Sequence, residues 1–174
     1  MNKQPELFEK YPSQVILITN LATLINYSAG FYILLQTGRL WTIFFLLYIL
    51  YLELSLYKSG CASCYYYGKT CAFGRGKIAA LLFKKADPQE FCQREFGWKT
   101  MLPQIILSLT PIVAGILLLT KEFDWIILIL MIIPVILWMV GNPIIYGKLA
   151  CIHCKQGKIC CPASKFFEPK DTQK

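Results

Sequence analysis

"WIILILMIIPVILWMVGNPIIY", residues 125–146, decides the fold. It is a 22-residue run dominated by isoleucine and leucine. At 1.5 Å rise per residue such a helix is about 33 Å long, enough to cross a hydrocarbon core about 30 Å thick. Working outward, Val15–Leu35 and Leu40–Tyr57 are runs of the same kind, and Leu102–Thr120 is a fourth, interrupted by Pro103 and Pro111. With 56% hydrophobic residues and a mean hydropathy of +0.48, the chain is too apolar for an ordinary soluble domain. A chain of 174 residues cannot cover four helices that are apolar all round. The expected class is therefore all-α, a polytopic membrane protein with four transmembrane helices. Pro111, Pro134 and Pro143 would break soluble helices but become kinks in a membrane bundle, where neighbouring helices satisfy the released carbonyls. The segment before Val15 carries Glu6 and Glu9 beside Lys3 and Lys10, with no small-residue cleavage site after it, so a cleaved signal peptide is not expected.

Charge placement predicts the orientation. The turns Gln36–Arg39 and Lys121–Asp124 hold only Arg39 and Lys121 of the 18 basic residues. The others lie in the N-terminal tail, the central loop and the C-terminal tail, which share one side in a pair of hairpins. The positive-inside rule assigns that side to the cytoplasm, with both termini, in the plasma membrane. Trp41 and Trp125 fit the outer interface; Tyr11, Tyr57, Trp98 and Tyr146 fit the inner one. The net charge of +8 is thus a topology signal, and no nucleic-acid-binding fold accompanies it.

All eight cysteines fall on the expected cytoplasmic side. Thiols stay reduced there, so metal binding or redox chemistry is expected in preference to a disulfide framework. The cysteines sit in two similar contexts. Each follows a hydrophobic hairpin with a CxxC pair and then Gly-Lys-x-Cys: Cys61, Cys64 and Cys71 in the first half, Cys151, Cys154 and Cys160 in the second. A polar residue near the inner end of a helix precedes each pair, Glu53 in one half and Asn142 in the other. These matches predict two parallel hairpin repeats, about 13–77 and 101–163, with an interfacial loop 78–100 and a tail 164–174. The repeats would set the two clusters side by side in a cytoplasmic cysteine-rich cap.

Thiolates are soft ligands for zinc and iron–sulfur clusters, and two CxxC turns can complete a tetrahedral site. Cys61, Cys64, Cys151 and Cys154 could share one ion. Alternatively each half holds its own, with Cys71 and Cys92 completing the first set and Cys160 and Cys161 the second. Cys160 and Cys161 are adjacent and hard to place on one metal, so His153, the only histidine, is a substitute ligand. Zinc is favoured, since no CxxCxxC run suggests an iron–sulfur cluster. The outer turns lack cysteine and one histidine cannot hold a b-type haem between two imidazoles, which argues against a transmembrane electron path.

Glu53 is the only acid inside a hydrophobic run. Burying it is costly, so it marks either a polar functional site with Asn142 or a side chain reaching the headgroups or Lys58. Asn20 and Asn26 suit hydrogen bonds between helices. "GKT" at 68–70 lacks the glycine and the strand of a phosphate loop. "KIAALLFKK", residues 77–85, reads as an interfacial helix, and Asp87-Pro88 as the start of another short helix containing Cys92.

The stretches "CYYYGKTCAFGRGKIAALLFKK", "GWKTMLPQ" and "CIHCKQGKICCPA" resemble an uncharacterised prokaryotic family of small cysteine-rich four-span integral membrane proteins. The resemblance covers most of the chain and implies the four-span architecture, but no activity or catalytic residue. The expected role is a CxxC-based metal site, zinc first, that stabilises structure or docks a cytoplasmic protein partner or a second copy without catalysis. The alternatives are a membrane oxidoreductase component with an iron–sulfur centre or reactive dithiol, and an oligomeric metal or small-solute transporter.

Overall fold

The computed structural model describes residues 6–94 and 97–161, and every regular element among them is helical. Pro12 opens α1 (Ser13–Thr37), its carbonyl accepting from the Val15 amide at 3.1 Å. A single residue, Gly38, separates α1 from α2 (Arg39–Leu56). Its φ of +151° lies in a region open chiefly to glycine, which lets the chain reverse with almost no loop. The backbone then passes through α3 (Arg75–Leu82) and α4 (Pro88–Cys92) to α5 (Trp98–Leu119). Asp87 caps α4 by accepting from the Gln89 amide at 2.9 Å, as its Asp-Pro sequence predicts. Asp124 does the same for α6 (Trp125–Ile136), accepting from Ile126 at 2.8 Å. Beyond α6 the chain stays helical through α7 (Asn142–Ile144), with π-helical turns on either side, and ends in α8 (Lys155–Ile159).

Four helical stretches are long and apolar enough to cross a membrane: Ser13–Thr37, Arg39–Cys61, Trp98–Leu119 and Trp125–His153. Each contains one of the four runs expected from sequence, or all but its last residue. Only 11% to 22% of each span is buried, so most of its aliphatic surface faces outward. Leu24, Leu50, Leu117, Trp125 and Met139 are each more than half exposed, an outward apolar surface consistent with a membrane protein. These lengths and surfaces are those of a membrane protein.

The chain forms two compact units. One comprises Leu21–Leu54 and Gly97–Gly141. Its core is Ile33, Leu34, Phe45, Leu107 and Ala114, with Tyr48 and Met131 packed against it. A Cβ on Gly30 would lie 2.8 Å from the Phe45 ring, so the smallest side chain sets the approach of α1 to α2. Pro103 and Pro111 sit inside an unbroken α5, and the Tyr48 hydroxyl donates to the Pro103 carbonyl at 3.0 Å. Glu53 accepts a hydrogen bond from the Tyr27 hydroxyl at 3.0 Å, a local partner for an acid within a span.

The other unit gathers residues 6–20, 55–94 and 142–161. It contains all eight cysteines. Its buried centre is Tyr11, Tyr66, Ala72 and Ala150. Residues 164–174, expected to form a tail, lie outside the described residues.

Candidate functional site

Both CxxC pairs begin where a membrane-length helix unwinds. The Tyr57 carbonyl accepts from the Ala62 amide five residues on, at 3.0 Å, and the Tyr146 carbonyl accepts from Cys151 in the same way. Each π-helical turn widens the last turn of its span and delivers the chain into a tight cysteine turn. There the Cys64 amide donates to the Cys61 carbonyl at 3.3 Å, and the Cys154 amide to the Cys151 carbonyl at 3.1 Å. The conformations diverge afterwards. Gly68 takes a positive φ of 73° in a loop, whereas Gly157 lies within α8. The shared Gly-Lys-x-Cys letters therefore do not carry a shared backbone.

Cys64, Cys71 and Cys154 pack against the same four-residue centre of Tyr11, Tyr66, Ala72 and Ala150. Burial pushes the Cys64 thiol up to about 12; the backbone amide of Tyr66 pulls against this, and Cys154, Cys61 and Cys71 lie near enough to raise it further. The Cys154 thiol is likewise raised, first by burial and then by Cys161, while the amides of Gly157 and Gln156 and the Tyr11 hydroxyl favour its thiolate. At neutral pH both are thiols. Each second cysteine of a pair thus has backbone N–H groups at its sulfur in surroundings that otherwise disfavour charge. Such amides stabilise a thiolate once a cation compensates the desolvation.

Tyrosines hold the segments around these sulfurs. Tyr11 donates to the Ala150 carbonyl and Tyr66 to the Phe8 carbonyl, each at 2.6 Å. Burial raises both hydroxyls, Tyr66 to about 12, so they remain donors. Tyr66 also accepts from the Lys155 amide at 3.1 Å. Gln156, only 5% exposed, accepts from the Tyr65 amide at 2.7 Å and donates to the Cys160 sulfur at 3.3 Å. Thr19 donates to the Ala72 carbonyl at 2.8 Å, and Asn20 donates to Ile16 at 2.8 Å. Outside the centre, Lys155 pairs with Glu9 at 2.6 Å. Sequence reading places Tyr11 only at the inner interface and does not single out Tyr66 or Gln156; the run "CYYY" after the first pair is the one signal that points toward Tyr66.

The eight cysteines separate into six thiols and one disulfide. Cys61, Cys64, Cys71, Cys151, Cys154 and Cys161 are thiols of intermediate exposure. Cys92 and Cys160, expected as ligand candidates, are instead joined to each other. The reason is proximity: their α-carbons are 5.1 Å apart, within disulfide reach. The expectation of wholly reduced cysteines is corrected for this pair. His153 is turned to another task. Its ring stacks on Phe8 at 4.5 Å and its Nδ1 lies 2.7 Å from the Glu6 carbonyl. Asn142 starts α7, and Glu53 belongs to the other unit. Among the described residues, no three His, Cys, Asp or Glu side chains are grouped as a metal-binding set. Searches of family models, curated proteins and solved structures return no match.

Proposed function

We propose that the chain is an integral membrane protein whose two CxxC pairs supply one thiol-rich site for a soft metal ion, zinc before iron, with a structural or partner-docking role. The observation that carries this reading is the packing of Cys64, Cys71 and Cys154 on one buried centre, from both halves of the chain. Burial of Cys64 and Cys154 disfavours thiolate in the absence of a cation, which suits ligands more than nucleophiles. A divalent ion removes the protons and offsets the desolvation, and the amides at Cys64 and Cys154 then stabilise the bound thiolates. Cys61 and Cys151, both of intermediate exposure, complete the proposed shared set. The charge distribution supports a cytoplasmic cap, with both termini cytoplasmic, in the plasma membrane. The paired π-helical exits support two hairpin repeats. Membership in the prokaryotic cysteine-rich family that the sequence resembles forms part of the same proposal.

Elemental analysis of protein purified in detergent without oxygen tests it. The expected result is zinc bound in proportion to protein. Iron with matching acid-labile sulfide would replace docking by electron transfer, and absence of metal would sink the reading.

A second reading rests on the Cys92–Cys160 disulfide beside six thiols. It makes the cap a thiol–disulfide centre, in which a thiolate attacks the disulfide and releases one sulfur as a new thiolate. The raised Cys64 and Cys154 thiols weigh against those two as the attacking group.

A further inference from the structure

We propose that α3 (Arg75–Leu82) is an interfacial anchor whose outward face enters an anionic phospholipid leaflet. The helix turns its small residues inward and its large aliphatic ones outward, the wrong way round for packing on a soluble core. Its inward face is built from small residues: Gly76 is buried and Ala79 is 0% exposed. A Cβ on Gly76 would collide with the carbonyl oxygens of Tyr66 and Lys69, so this face fits flush against the loop. Two bonds fasten it there. The Gly68 amide donates to the Gly76 carbonyl at 3.0 Å, and the Tyr67 hydroxyl donates to Phe83 at 2.8 Å.

At 100° per residue the opposite face carries Lys77, Ile78, Leu81 and Leu82. Leu81 is 86% exposed, Leu82 54% and Ile78 42%. A helix that folds onto a protein core buries its large aliphatic residues and exposes its small ones; α3 does the reverse. Lys77 on the helix, with Lys84 and Lys85 just after it, adds exposed positive charge around this aliphatic face. An occupant must therefore offer an apolar interior beneath an acidic surface, and a bilayer containing anionic lipid does so. The bilayer is also close by covalent necessity, because α3 lies between the spans Arg39–Cys61 and Trp98–Leu119. A flat acidic protein would match the lysines but leave Leu81 without an apolar partner.

The inference rests on the membrane reading, and the test separates the two. The full chain is reconstituted in nanodiscs of phosphatidylglycerol and phosphatidylcholine, with a benzophenone amino acid replacing Leu81. A second sample carries it in place of Leu50, which is 53% exposed within a span. Replacing Leu81 leaves the packed face of α3 intact. Illumination and mass spectrometry are expected to find phospholipid adducts at both positions. At position 81 phosphatidylglycerol should be captured several-fold over phosphatidylcholine, and Lys77→Gln with Lys84→Gln and Lys85→Gln should remove most of that preference. Lipid adducts at position 50 but none at 81 would overturn the proposal while sparing the membrane reading. No lipid adduct at either would overturn both. Lipid capture at 81 without headgroup preference would overturn the anionic part.

Discussion

The side-chain carbonyl of Gln156 accepts the backbone N–H of Tyr65 at 2.7 Å, and the amide of the same buried residue reaches the Cys160 sulfur at 3.3 Å. One side chain thereby ties the loop after the first CxxC pair to the segment after the second. Gln156→Leu should leave the Tyr65 amide without its acceptor and cost about 1–3 kcal/mol, the usual penalty for an unsatisfied buried donor. Gln156→Glu keeps an oxygen for Tyr65 and should retain more stability than Gln156→Leu. Thermal unfolding in detergent, followed by near-ultraviolet circular dichroism, compares the two; equal loss would show that the Tyr65 bond contributes nothing.

Tyr66 both donates to Phe8 and accepts from Lys155, whereas Tyr11 makes a 2.6 Å bond to Ala150. Removing either hydroxyl strands backbone groups that are buried at Ala150 and part-buried at Phe8 and Lys155. Tyr66→Phe is expected to destabilise by about 2 kcal/mol and Tyr11→Phe by about 1 kcal/mol, since the first loses two partners. Tyr66→Phe should also loosen the segment around Phe8, seen as faster proteolysis at the N-terminal end. Unchanged proteolysis would show that the Phe8 contact does not hold that segment.

These residues mark the limit of what sequence made legible. The four spans follow from apolar runs long enough to cross a bilayer, and the helices exceed those runs because Ser13, Thr37 and Trp98 continue the hydrogen-bond ladder at little cost. The CxxC pairs were visible as spacing. The π-helical exits were not, because the five-residue register depends on where each chain must go next. The Gly-Lys-x-Cys match suggested one conformation and covers two. Cys92 and Cys160 carry no pairing signal, since the contact joins α4 to the end of α8 across a sequence separation of 68.

The shared-site proposal sorts the cysteines by contact. Cys64→Ser and Cys154→Ser should each lower bound metal at least tenfold, because each removes a sulfur from the common centre. His153→Ala should leave the metal content unchanged, as that ring serves Phe8 and Glu6. Metal analysis of the three purified variants decides: loss in His153→Ala, or full retention in both serine variants, would refute the assignment.

Alkaline stability of the metal-free protein follows from the raised groups. Burial lifts Cys64 and Tyr66 to about 12, above their ordinary values of 9.0 and 10.0. The folded state therefore holds protons that the unfolded state releases first. The stabilisation is fully present below pH 9 and is lost as pH rises toward 12. The melting temperature should stay flat from pH 7 to about 9 and then fall. Cys64→Ala with Tyr66→Phe should be less stable at neutral pH yet show a shallower alkaline decline. An equally steep decline in that variant would place the sensitivity elsewhere.

The Cys92–Cys160 disulfide predicts a thiol count. Protein denatured under alkylating conditions without reductant should expose six reactive thiols, and eight after reduction. Cys92→Ser should change the unreduced count to seven while leaving Cys160 reactive, which peptide mass spectrometry reads directly. The separation also tests the redox reading. If graded reductant opens the bond at the potential of a cytosolic thiol pool, Cys160 returns beside Cys161 and close to Gln156, so the chain gains a seventh and an eighth thiol. If the bond resists such reductants and metal content does not respond to its cleavage, the disulfide is a fixed strut between α4 and α8, and the thiol–disulfide reading falls.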